Sequence, residues 1–121
     1  MKTGWLLFLI AALALTASAA DITGTWKGSA DTPNGTVERT FHFKVDGHTL
    51  TGDTVSNMFG KSAIQDGKVD GDDVSFTLIV TVEANENKVH YSGKISGDTI
   101  KFTVSVPGVD QTIEMVAKRV P

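Results

Sequence analysis

The chain has 121 residues, 11 Lys and Arg against 14 Asp and Glu, and a formal charge of −3 at pH 7. That length suits one domain, and a mildly acidic charge spread along the chain excludes the basic footprint of a nucleic-acid binder. The absence of Cys excludes disulfides, thiolate metal sites and a cysteine nucleophile.

The chain opens with Met1-Lys2-Thr3, a short positive start, followed by an unbroken apolar run from Trp5 to Leu15. Thr16 to Ala20 then supplies small residues at the spacing a signal peptidase reads. This is the three-part layout of a secretory signal. The run is shorter than the ~20 residues that span a bilayer. Residues 1–20 are therefore read as a cleaved signal peptide and 21–121 as the mature domain, secreted or periplasmic, with no membrane span once the signal is removed. An uncleaved anchor is the alternative. A domain of about 100 residues without disulfides must be held by its core alone, which is feasible at that size.

From Ile22 onward apolar residues recur at every second position, the mark of half-buried strands. The predicted strands are Ile22–Ser29, Thr36–Val45, Thr49–Val55, Ser62–Asp70, Val74–Glu83, Lys88–Ser96, Thr99–Val106 and Thr112–Val120. Strand two places Val37, Arg39, Phe41, Phe43 and Val45 on one face. Strand five places Val74, Phe76, Leu78, Val80 and Val82 there. No segment carries helical spacing.

The links between strands fall into two sets. Asp46-Gly47, Gly71-Asp72 and Gly97-Asp98 read as tight turns, in which Gly or Asp tolerates positive φ. Asp31–Gly35, Ser56–Lys61, Ala84–Asn87 and Pro107–Asp110 read as longer loops. In an up-and-down meander these sets lie at opposite ends, as the closed base and open rim of a cup would. A repeat supports the meander: Gly67–Leu78 matches Gly93–Val104, each copy reading as a hairpin with a Gly-Asp turn. Eight antiparallel strands either close into a barrel or stack as a sandwich. Closure removes the edges that invite aggregation, so the expected fold is a single all-β, eight-stranded antiparallel up-and-down β-barrel.

Gly24-Thr25-Trp26 on the first strand resembles the Gly-x-Trp signature of lipocalin and calycin barrels. That resemblance implies a structural closed end built from Gly24, Trp26 and Arg119, with the arginine of the last strand lying across the indole. The opening Ile22–Trp26, with Gly47–Gly52, is also similar to the start of avidin-like barrels. Those line their site with several Trp, whereas only Trp26 survives signal removal here, and Lys27-Gly28 replaces the expected polar residues. The whole is similar to small lipocalin-like barrels of secreted bacterial proteins.

Arg39 is the anomaly of the inward face, because a buried guanidinium is costly without partners. If Lys27 pairs with Glu38, Arg39 falls opposite Trp26 and stacks on it in place of Arg119, unless a bulge turns it outward. The functional reading is a cationic anchor for a carboxylate ligand, which the planar fork of Arg suits. Tyr91 points inward, as core or as a ligand contact. Phe41 is core by pattern and a candidate ligand contact by position. Met58 and Phe59 stand on a rim loop, as a lid, a partner contact or a return to the core. Gly24, Gly28, Gly52 and Gly93 at inward positions would leave room inside the barrel.

The remaining polar clusters point to no chemistry. Asp66, Asp70, Asp72 and Asp73 lack the ordered ligand spacing of a calcium loop. His42 and His90 have outward parity and His48 sits in a turn, so no metal site is expected. No nucleophile motif or inward carboxylate pair is visible. Asn34-Gly35-Thr36 is a glycosylation sequon, relevant only in a eukaryotic secretory route.

The sequence thus leads to a non-enzymatic binding protein without a cofactor. Its partner would be a small, largely apolar molecule held at the open end, with Arg39, Tyr91, Phe41, Met58 and Phe59 as ligand-binding residues. The alternative is a protein partner, met through rim loops on a solid barrel, as in protease-inhibitor-like barrels. A cavity of ~300 Å³ or more, reached from the loop end, separates the two.

Overall fold

The computed structural model describes residues 20–121 except Asn34. The signal-peptide reading of residues 1–20 lies outside these apart from Ala20, as does the asparagine of the sequon. The described residues form eight strands: β1 (Gly24–Thr32), β2 (Gly35–Asp46), β3 (Thr49–Ser56), β4 (Gly60–Asp70), β5 (Asp73–Val82), β6 (Asn85–Ser96), β7 (Thr99–Ser105) and β8 (Ile113–Arg119). They pair antiparallel in chain order and close through β1 and β8, from Trp26 opposite Arg119 to Ser29 opposite Val116. The expected barrel is the observed one. It has no free sheet edge among these strands, and its inner wall is set by alternation along each strand. On β6, for example, Val89, Tyr91 and Ile95 are buried while Lys88, His90 and Lys94 are exposed.

Several local expectations are corrected. Ile22 is not in β1; residues 20–23 instead cross the closed end, where Ile22 is buried. The β1–β2 pair runs Lys27 to Thr40, Trp26 to Phe41 and Gly28 to Arg39. Arg39 therefore lies opposite glycine rather than Trp26, because β1 continues to Thr32, which closes the hairpin against Gly35. The pairing is unbroken from Gly24 to Thr32, so no bulge turns Arg39 outward. The β5–β6 link is not a long loop. It is a two-residue turn at Glu83 and Ala84, both with positive φ (52° and 69°), the backbone of a tight hairpin. With β1–β2 also short, the longer links at the open end are those between β3 and β4 and between β7 and β8.

The lower half of the barrel is solid. Phe41 meets Phe43, Phe76, Tyr91 and Phe102 at ring-centroid distances of 5.3, 6.1, 6.0 and 5.4 Å. Such pairs add about 0.5–1.5 kcal/mol each beyond burial. The inward glycines do not leave room here. A Cβ on Gly28 would meet Met115 Sδ at 2.8 Å, and one on Gly93 would meet Phe102 Cδ1 at 2.7 Å. Their missing side chains are the space those larger ones occupy. Gly52 marks a register shift between β3 and β4, where a Cβ would strike the His42 carbonyl.

The closed end is tied by Arg119. Its guanidinium carbon lies 4.5 Å from the Trp26 ring centroid, and its NH groups donate to Thr23 O (3.1 Å), Asp21 O (3.3 Å) and Asp98 Oδ1 (3.1 Å). Trp26 Nε1 donates to Ile22 O at 2.9 Å. The stacking on Trp26 thus belongs to Arg119 and not to Arg39. Gly24 has φ +135°, a backbone conformation that residues with a Cβ rarely adopt, and it lies in van der Waals reach of Arg119 Nη1.

Candidate functional site

Above the aromatic layer the barrel is hollow. A cavity of about 400 Å³ opens at the end bearing the β3–β4 and β7–β8 links. Its walls are mostly valine and other aliphatic side chains, among them Val37, Val80, Val89, Val104 and Ile113. These residues follow from strand alternation, since each is the inward residue one or two steps nearer the rim than the aromatic layer. They are small, and that is why the upper half stays open where the lower half does not.

Arg39 and Tyr91 line the cavity. Arg39 is 3% exposed. Its Nη1 donates to Thr54 Oγ1 at 2.7 Å, and Thr54 in turn donates to Ser62 O at 3.4 Å. Arg39 Nε is buried with no hydrogen-bond partner, and no carboxylate pairs with the guanidinium among the described residues. A buried cation of this kind has high desolvation cost and spare donors. Tyr91 is buried beside it. Burial pushes the Tyr91 phenol above the ordinary tyrosine range, and the Arg39 charge and hydrogen bond oppose that rise without cancelling it.

Met58 and Phe59 lie at the mouth and line it, 42% and 39% exposed. Their backbone NH groups both donate to Ser56 Oγ (3.1 and 3.3 Å), which shapes the β3–β4 turn. Phe41 is placed differently from the expectation. It does not line the cavity but lies in the aromatic layer below, fully buried. It sits one step nearer the closed end of β2 than Arg39 on the same face, so any contact it makes with cavity contents is through its neighbours.

Two elements of the site escaped the sequence reading. Thr54, Ser56 and Ser62 are buried polar residues on β3 and β4, and they form the polar wall beside Arg39. Their inward parity was the available signal. Val109, 52% exposed, joins Met58, Phe59 and the inward-facing Val82 at the mouth. Val109 lies in an irregular link, where alternation gives no guide.

The other polar groups stay apart from the cavity. His42 Nδ1 lies 2.9 Å from Asp53 Oδ1 on the outer wall, with Lys61 Nζ 3.7 Å from the same carboxylate. The His42 hydrogen bond, and then the Lys61 charge, hold Asp53 below the usual carboxylate range. His90 bonds Thr77, and His48 the Val69 carbonyl. No group of His, Asp and Glu suited to a metal ion occurs among the described residues.

No protein-family model and no curated protein sequence matches the chain. A crystal structure of a point mutant of the fluorescent protein UnaG is similar, with a TM-score of 0.50 and 12% sequence identity, covering 83% of this chain and 96% of that one. At that identity the likeness is one of fold. It agrees with the closed eight-stranded antiparallel barrel seen here.

Proposed function

We propose that the protein is a non-enzymatic binding protein that holds a small, largely apolar ligand in the cavity at the open end of the barrel. The observation that carries this reading is Arg39: a buried guanidinium, unpaired with any carboxylate among the described residues, standing at the floor of an apolar cavity. A ligand carboxylate there would supply the missing counter-charge through the fork of the guanidinium, with Tyr91 as a second donor. Affinity would come from apolar surface buried in a preformed cup, and about 400 Å³ falls within the range of small-molecule sites. The sequence of residues 1–20 supports a role in the periplasm or outside the cell.

Native mass spectrometry of the purified protein tests this directly. The expected result is a co-purified small acid that is lost on Arg39→Met. Retention of the species by that variant would discard the anchor. A spectrum free of adducts, with no uptake from a panel of small apolar acids, would discard the ligand reading in favour of an interaction module.

A further inference from the structure

Polarity in this cavity runs against the direction that solvent alone would impose. The charged group, Arg39, lies at the floor, and the side chains nearest water are apolar. Six large hydrophobic side chains are exposed among the described residues: Val55, Met58, Phe59, Val82, Val109 and Val116. Met58, Phe59, Val82 and Val109 line the mouth of this one cavity. They come from the β3–β4 link, the end of β5 and the β7–β8 link, so they surround the opening rather than follow one strand. Exposed apolar residues gathered in this way mark a surface that is covered in use.

Building on the ligand reading above, we infer that the ligand is a single-chain amphiphilic monocarboxylate. It binds with its head on Arg39 and Tyr91 and its tail rising to the mouth, where Met58, Phe59, Val82 and Val109 cover it. The head-out orientation would set a charge among those four apolar side chains and leave Arg39 unpaired. One anionic charge matches one buried cation, and a dianion would leave a charge uncompensated in an apolar enclosure. The length follows from β2. Arg39 lies four residues from Gly35, where the strand begins at the rim, which is about 13 Å of extended strand. An extended alkyl chain of dodecanoate's length covers that distance, so the rim engages chains of that length and longer, whereas octanoate stays inside.

Titration calorimetry with octanoate, decanoate and dodecanoate tests the arrangement, on the native protein and on a Met58→Ser/Phe59→Ser double variant. Both side chains are exposed and the turn is held by backbone bonds to Ser56, so the variant keeps the fold. Native affinity should rise about fourfold per added methylene up to dodecanoate. In the variant the gain in affinity from octanoate to dodecanoate should shrink at least tenfold. Octanoate binding with no gain on lengthening, or a gain that survives the double substitution, would overturn the rim assignment and leave the cavity reading standing. If none of the three acids binds, the cavity reading falls and the orientation falls with it. Dodecanol binding as tightly as dodecanoate would remove Arg39 as the partner of the head group.

Discussion

Tyr91 is the chain's one tyrosine, so its ionisation can be followed without interference. Burial holds the phenol above its ordinary value of 10.0 and outweighs the opposing influence of Arg39. The folded state therefore keeps a proton that the unfolded chain releases once the pH passes about 10. Stability is unaffected below that point and falls as the pH rises toward the folded-state value, because the unfolded state then binds fewer protons. Phenolate absorbance in the native protein should appear only above the ordinary tyrosine range, with the urea midpoint declining over the same interval. Arg39→Met should move the titration higher still, since it removes the nearby positive charge. A native protein that titrates as free tyrosine would show the phenol to be solvated, and would weaken its place beside Arg39 at the floor of the cavity.

At the scale of elements, the hairpins show where sequence patterns succeed and where they stop. Alternation placed all eight strands and the inward position of Arg39, because a half-buried strand allows only one set of side chains on its inner face. Gly-Asp and Asp-Gly pairs marked the closed-end turns, since Gly accepts positive φ. The β5–β6 turn has the same left-handed backbone but is built from Glu83 and Ala84, residues that carry no such mark. The register of the first hairpin was missed for a related reason: no sequence cue shows that β1 extends to Thr32. The hollow of the upper half was not legible either. Inward glycines suggested space that Met115 and Phe102 in fact fill, and the real opening lies where small valines line the wall. Left-handed φ costs a residue with a Cβ about 1 kcal/mol or more. Replacing Glu83-Ala84 by Asn-Gly, the favoured pair for this backbone, should therefore stabilise the protein by about 1 kcal/mol. The check is a higher urea midpoint at unchanged m-value, and a lower midpoint would mean that the turn is not of this type.

The whole molecule divides into a packed base and an open top. Aromatic packing and the Arg119–Trp26 closure lie toward the base, and closure of β1 on β8 carries the wall upward around a space that contributes no packing. An apolar hollow forgoes the close packing that a filled core would supply. A hollow of this size is therefore a structural cost that a domain without disulfides bears in its native state. Filling it should separate stability from binding. Val89 lines the cavity two residues from Tyr91 on the same face of β6, and Val89→Phe would project a ring into the open space. The expected result is a melting temperature equal to or above that of the native chain, together with loss of dodecanoate binding. A loss of about 1–3 kcal/mol, as overpacking of a filled core produces, would mean that the upper barrel has no room to give. The protein would then be a solid scaffold presenting its rim.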